Sequence, residues 1–233
     1  MHPNSKEGAS PISRKDIHSG QIEHHVERIS REIRDGFQFL RKFPKSVSIF
    51  GSSMAEPKSA GYENASKLAE RIIRELEYAV ITGGGPGIME AANEGAFRAG
   101  GPSAGLLISL PHMHANNAFR TDSIKFSYFF TRKTMLTFAA EAYVFFPGGF
   151  GTFDELFSIL TLVQTGKIPR VPIILFDTHF WSGLTDFFQK KMLHEYGTVT
   201  VQDLKLFTIT DSFDEIIDIV KKAPINQWWR NIN

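Results

Sequence analysis

Short apolar segments alternate with longer amphipathic ones along almost the whole of this 233-residue chain, and the turns after several of the apolar segments are rich in glycine or serine. Val47-Ser48-Ile49-Phe50 ends in Gly51-Ser52-Ser53, Ala79-Val80-Ile81-Thr82 ends in Gly83-Gly84-Gly85-Pro86-Gly87, and the segment 142–146 ends in Pro147-Gly148-Gly149-Phe150-Gly151. Further strands are expected at 103–108, 171–176 and 207–210. Helices are expected at about 60–75, 88–99, 131–141, 152–165, 181–195 and 212–222. Strands this short and this apolar must be covered on both faces. The pattern predicts a Rossmann-like, doubly wound α/β fold with a mostly parallel sheet. Right-handed crossovers then bring the strand carboxyl ends, and their turns, to one edge.

Ahead of this alternation, Val26, Ile29, Ile33, Phe37 and Leu40 recur at steps of three and four between charges, predicting a helix over 22–43 that Pro44 ends. It either caps the domain or joins a dimer interface. Residues 1–20 are polar and are read as a flexible tail, and 21–233 as one domain. The tail lacks the apolar core of a signal peptide, and no run approaches the roughly 18 apolar residues of a membrane span, so the expected compartment is the cytosol.

Composition removes several kinds of chemistry. With 26 Lys and Arg against 25 Asp and Glu, charge gives no argument for nucleic acid or membrane as a partner. The absence of cysteine removes thiol catalysis and cysteine-based metal sites. Phenylalanine is the one excess, with 21 copies, and is read as core packing.

A glycine turn that feeds a helix N-terminus points free N–H groups outward, and with the helix dipole it forms an anion site. Three such turns on one sheet edge predict a phosphate-binding site built from Gly51, Ser52, Ser53, Gly84, Gly85, Gly148, Gly149, Gly151 and Thr152. The Rossmann fingerprint fails where Glu90 stands in place of glycine or alanine, and no GxxxxGK[ST] motif occurs, so a dinucleotide or a P-loop nucleotide is not expected. In Thr152-Phe153-Asp154-Glu155 the spacing fits a capping box. It also fits Glu155 facing a sugar whose phosphate lies on the turn. Arg132-Lys133 opens the preceding helix, where cations oppose the dipole, and a nearby anion would explain them.

These motifs are similar to those of the LONELY GUY family of phosphoribohydrolases, often labelled lysine decarboxylases. The resemblance rests on Gly83-Gly84-Gly85-Pro86-Gly87-Ile88-Met89, Arg132-Lys133-Thr134-Met135 and Pro147 to Glu155, in that order, within about 47–176. It implies hydrolysis of cytokinin riboside monophosphates or AMP to free base and ribose 5-phosphate, with Arg132 and Glu155 catalytic and no cofactor. It also implies homodimers that complete each other's sites. Lys133 is an expected substrate contact, and Glu90 and Asn93, one turn apart on a helix, are either ribose or base contacts or an exposed helix face. Relatives of this style carry an acid in the loop after Leu-Pro, whereas Leu110 to Asn117 here has none. His112 and His114, two apart in that loop, are a weak pattern for a metal. A rival reading is a carrier that holds a phosphorylated pterin, as molybdenum-cofactor carriers of similar fold and turns do. The intact Arg132 and Glu155 count against it. Lysine decarboxylation has no pyridoxal-phosphate signature behind it.

Overall fold

The computed structural model describes residues 19–109 and 117–225. Residues 1–18 of the predicted tail, and residues 110–116 with His112 and His114, therefore lie outside the described residues, whereas Ser19 and Gly20, assigned to the tail, open a helix.

Among the described residues, seven strands form one parallel sheet: β1 (Ser46–Phe50), β2 (Ala79–Thr82), β3 (Ser103–Ile108), β4 (Asp122–Phe126), β5 (Ala142–Phe145), β6 (Ile173–Phe176) and β7 (Thr208–Thr210). Their order across the sheet is β4-β3-β2-β1-β5-β6-β7. The chain winds outward from β1 to β4, returns to the middle, and winds the other way from β5. The order thus reverses between β1 and β5, which pair from Val47 against Ala142 to Phe50 against Phe145. At such a reversal the two flanking crossovers leave on opposite faces, and a crevice opens beyond the strand ends.

The helices are α1 (Ser19–Leu40), α2 (Ala60–Arg71), α3 (Ile88–Arg98), α4 (Phe129–Thr137), α5 (Phe150–Gln164), α6 (Thr178–Phe187) and α7 (Phe213–Lys222). Wide π-type turns extend α2 to Leu76 and α6 to Glu195. The central strands β1, β2, β5 and β6 are buried along their whole length. Two apolar layers cover them. One, with Phe145, Leu156 and Trp181, receives α1, α4, α5 and α6. The other, with Val80, Ala92 and Ile216, receives α2, α3 and α7. Among the described residues no helix is long and apolar enough to cross a membrane.

Two sequence expectations change. Strand β4 was not predicted, because Asp122-Ser123-Ile124-Lys125-Phe126 has only two apolar residues. It is an edge strand, and its alternating exposed residues blunt the edge against further pairing. In α1 the predicted apolar stripe is used only in its second half. Ile33 and Phe37 pack on the core and Leu40 is buried in it, whereas Val26 is exposed.

Candidate active site

The turns after β1 and β5 meet at the reversal. Ser52 N–H donates to the Pro147 carbonyl at 3.0 Å, and Ile88 N–H to the Ser52 carbonyl at 2.9 Å. Above them lies a cavity of about 320 Å³, lined by Gly51, Ser52, Ser53, Met54, Gly83, Met89, Phe129, Arg132, Gly149, Phe150, Gly151, Thr152 and Glu155, with Phe50 and Leu136 at its base. This volume lies at the small end of the range for ligand pockets.

The N-terminus of α5 faces this space. Its N-cap is Gly149, and no side chain caps it. A methyl group built on Gly149 or on Gly151 would meet nothing within 4 Å. The Thr152 N–H turns back to the Gly149 carbonyl at 2.9 Å, so this 15-residue helix presents the amides of Phe150 and Gly151 to the cavity. Gly148 is glycine for another reason: a β-carbon there would run into the Thr152 side chain and crowd Ser52 N.

The capping box does not form. The helix starts at Phe150, so Thr152 falls in the first turn and Glu155 in the second, where its carboxylate is beyond the N-cap amide. Glu155 is only 5 % exposed and lines the cavity. Among the described residues, its Oε2 and Ser48 Oγ are the two buried side-chain oxygens without a hydrogen-bond partner. Burial pushes the carboxyl up to about 7, against the pull of Lys133 and Arg132 and with a smaller push from Asp154. Such a group changes charge near neutral pH and keeps unused hydrogen-bonding capacity in a residue that lines the cavity.

Arg132 lies in the first turn of α4. Its Nε donates to the Leu106 carbonyl at 2.7 Å and its Nη2 to the Gly83 carbonyl at 3.3 Å. Burial lowers its proton affinity and Glu155 raises it, and an arginine stays charged through such shifts. Contact with Glu155 is electrostatic only. Arg132 is anchored by strand-end carbonyls rather than by the acid, so the fold holds the guanidinium in place without ligand.

Several expected site residues lie elsewhere. Lys133 forms an ion pair with the Asp154 carboxylate and donates to the Asp154 carbonyl at 3.2 Å, on the outer side between α4 and α5. It reaches the site through its field on Glu155. Asn93 is fully buried, with hydrogen bonds to Thr82 Oγ1 (2.7 Å), Ser103 Oγ (2.8 Å) and Asn117 Nδ2 (2.9 Å), so its amide is spent on tying α3 to the sheet. Gly84 and Gly85 also do not line the cavity. Gly84 takes a left-handed conformation (φ +68°) and packs on Leu107 and Gly105, and the Gly85 carbonyl accepts from Asn117. Glu90 is half-buried outside the cavity, its carboxyl pushed up by burial and then by Glu94. The second glycine turn therefore clasps the first turn and contributes only Gly83 and Met89 to the cavity.

Met54, Met89, Phe129 and Phe150 were not anticipated as lining residues. Phe150 is 94 % exposed and Phe129 is 51 % exposed, so these phenylalanines depart from the expected core role. The available signal was position: each is the first residue of a helix next to a motif.

The family model described as "Possible lysine decarboxylase" matches residues 89–220. A cytokinin riboside 5′-monophosphate phosphoribohydrolase of Arabidopsis thaliana is 26 % identical over 148 residues, 63 % of this chain and 69 % of that protein. One from Rhodococcoides fascians is 24 % identical over 162 residues, 68 % of this chain and 81 % of the relative. The molybdenum cofactor binding protein of Rippkaea orientalis has a similar fold, with a TM-score of 0.53 at 22 % identity over 76 % of this chain and 93 % of that one. The molybdenum cofactor carrier protein of Chlamydomonas reinhardtii gives 0.54 at 19 % identity over 77 % and 97 %. With the model spanning more than half of the sequence and its motifs converging on one cavity, this chain belongs to the LONELY GUY-type family that carries the lysine decarboxylase description.

Proposed function

We propose that this protein is a phosphoribohydrolase that cleaves the N-glycosidic bond of a purine nucleoside 5′-monophosphate, AMP or an N6-modified AMP, giving free base and ribose 5-phosphate. The observation that carries this reading is a buried glutamate, Glu155, that lines the cavity with one of its oxygens unpartnered, beside an uncapped helix N-terminus.

The first-turn amides of α5 and the turn of Gly51, Ser52 and Ser53 would hold the phosphate dianion. That grip fixes the ribose over Glu155 and lets binding energy of the unreacting phosphate serve the reacting carbon. As the bond from C1′ to the base nitrogen lengthens, positive charge grows on the ribose ring, and the ionised Glu155 lowers its energy. The same carboxylate can take a proton from the water that adds to C1′, and the base leaves with its bonding pair and takes up a proton from solvent or from the Glu155 carboxyl, which returns to its ionised form. Arg132, fixed on Leu106 and Gly83, balances the charge of the carboxylate and phosphate. Met54, Met89, Phe129 and Phe150 offer apolar faces to a purine. The exposed Phe130 and Phe157, outside the cavity, supply apolar surface for a homodimer.

The test is incubation of the purified protein with common 5′-monophosphates and N6-prenylated AMP, each beside its unphosphorylated nucleoside, with chromatography of the released base. Base release from monophosphates and not from nucleosides is expected. Tight binding of phosphorylated ligands with no release from any of them would replace the hydrolase with a carrier.

A further inference from the structure

The predicted apolar stripe of α1 accounts for how only its second half meets the rest of the molecule. A second row, at steps of three and four, faces α4: His25, Arg28, Glu32 and Gly36. All four face the start of α4 or its body. The Glu32 carboxylate accepts from Ser127 N–H (2.8 Å), Tyr128 N–H (3.3 Å) and Thr131 Oγ1 (2.6 Å). Arg28 bonds the Ser127 hydroxyl and His25 the Tyr128 hydroxyl. One turn further on, Gly36 lies so close to α4 that a β-carbon there would sit 2.5 Å from Met135 Cγ.

These contacts matter because α4 has no side-chain cap of its own. Its N-cap is Tyr128, which makes no capping bond. A carboxylate at that end satisfies donors and complements the helix dipole. Burial pushes Glu32 up, but the bonds from Thr131, Ser127 and Tyr128 outweigh it, and the net direction is down, so the acid stays ionised there. Arg132 follows Thr131 directly. Its guanidinium must reach two fixed carbonyls, Leu106 and Gly83, and a rotation or slide of α4 would break both bonds.

We propose that Glu32 is a positioning residue. It locks the entry of α4 so that Arg132 arrives at the cavity already oriented, which makes α1 a strut for the active site. The kinetic part rests on the phosphoribohydrolase reading; the structural part does not.

Two measurements separate the parts. Hydrogen exchange of the Ser127–Arg132 amides should speed up at least about tenfold in Glu32→Ala, with the sheet amides unchanged. Glu32→Gln, which keeps the length and one acceptor oxygen, should fall between. In monophosphate hydrolysis Glu32→Ala should lower kcat by about ten- to a hundredfold with KM within about twofold. In an Arg132→Lys background the same change should add little, because both act through one guanidinium. Unchanged exchange at Ser127–Arg132 would overturn the strut. Faster exchange with wild-type kcat, or full multiplication of the two losses, would overturn the link to Arg132. A wild-type protein that releases no base from any monophosphate would remove the hydrolase reading while the exchange result still judges the strut.

Discussion

Two buried glutamates flank strand β5, Glu141 just before it and Glu155 in the helix that follows it, and they are equally covered, at 5 % exposure. Glu141 precedes the strand. Its Oε2 accepts the Ser46 N–H at 2.6 Å while its own N–H donates to the Ser46 carbonyl at 3.0 Å. This reciprocal pair welds the amino ends of β1 and β5. Glu155 lies past the carboxyl end, beyond the turn, and one of its oxygens has no partner. Burial alone therefore distinguishes nothing here. The buried acid that the backbone satisfies is part of the frame. The one left unsatisfied holds free energy that a ligand or a developing charge can recover.

The comparison breaks most sharply on turnover. Glu155→Gln should lower kcat at least about a thousandfold, equivalent to about 4 kcal/mol of transition-state stabilisation. Monophosphate binding by calorimetry should stay within a few-fold. Glu141→Gln should leave kcat within about twofold. If steady-state kinetics rank the two the other way round, the assignment of frame and site is reversed.

Stability against pH separates them next. The folded Glu155 carboxyl titrates near 7, above its ordinary 4.5. Between those values the native state holds the proton that the unfolded chain has lost, so stability falls as pH rises from about 4.5 to about 7. The full penalty, present above about pH 7, is about 3 kcal/mol. Glu155→Gln removes it. The variant should melt above the wild type at pH 8 and level with it near pH 4. A scanning-calorimetry series in which the difference does not grow with pH would show that the carboxylate is not destabilised by its surroundings.

Glu141→Ala should do the opposite. Leaving the buried Ser46 N–H without its acceptor costs about 1–3 kcal/mol, read as a lower denaturant midpoint, with kcat unchanged. A midpoint equal to that of the wild type would mean that water replaces the carboxylate at this end.

Legibility in the sequence follows the same division. The fold was readable, because strands such as Ala79–Thr82 and Ala142–Phe145 are continuous apolar runs and the glycine turns punctuate them. Strand β4 was not, because an edge strand with Asp122 and Lys125 carries little apolar signal. Within the site, Glu155, Arg132 and the Gly149 and Gly151 turn could be found from motif spacing, and the structure gathers them on one cavity. Gly84 and Gly85 belong to an equally conspicuous motif, yet they and the helical Asn93 are engaged in packing and hydrogen bonds away from the cavity, a distinction set by tertiary placement that local sequence does not encode. Met54 belongs to no motif, and Phe150 stands at a motif position to which the sequence assigns no role. Glu32 is about a hundred residues from the helix it caps, and no periodicity links a helix face to a partner at that distance.

The smallest effect tests why Gly151 is glycine. Its backbone is not left-handed, and nothing lies within 4 Å of an added β-carbon. In the first turn of a helix, alanine should be better than glycine by up to about 1 kcal/mol. Neither conformation nor packing in the free protein therefore explains the residue, in contrast to Gly148, where Thr152 fills the space. Close approach of a ligand to the main chain does explain it. Gly151→Ala should raise the melting temperature slightly and raise KM for the monophosphate several-fold, with kcat nearly unchanged. A gain in stability with an unaltered KM would place the phosphate away from the first turn of α5, and Gly51 to Ser53 would then have to hold it without the helix.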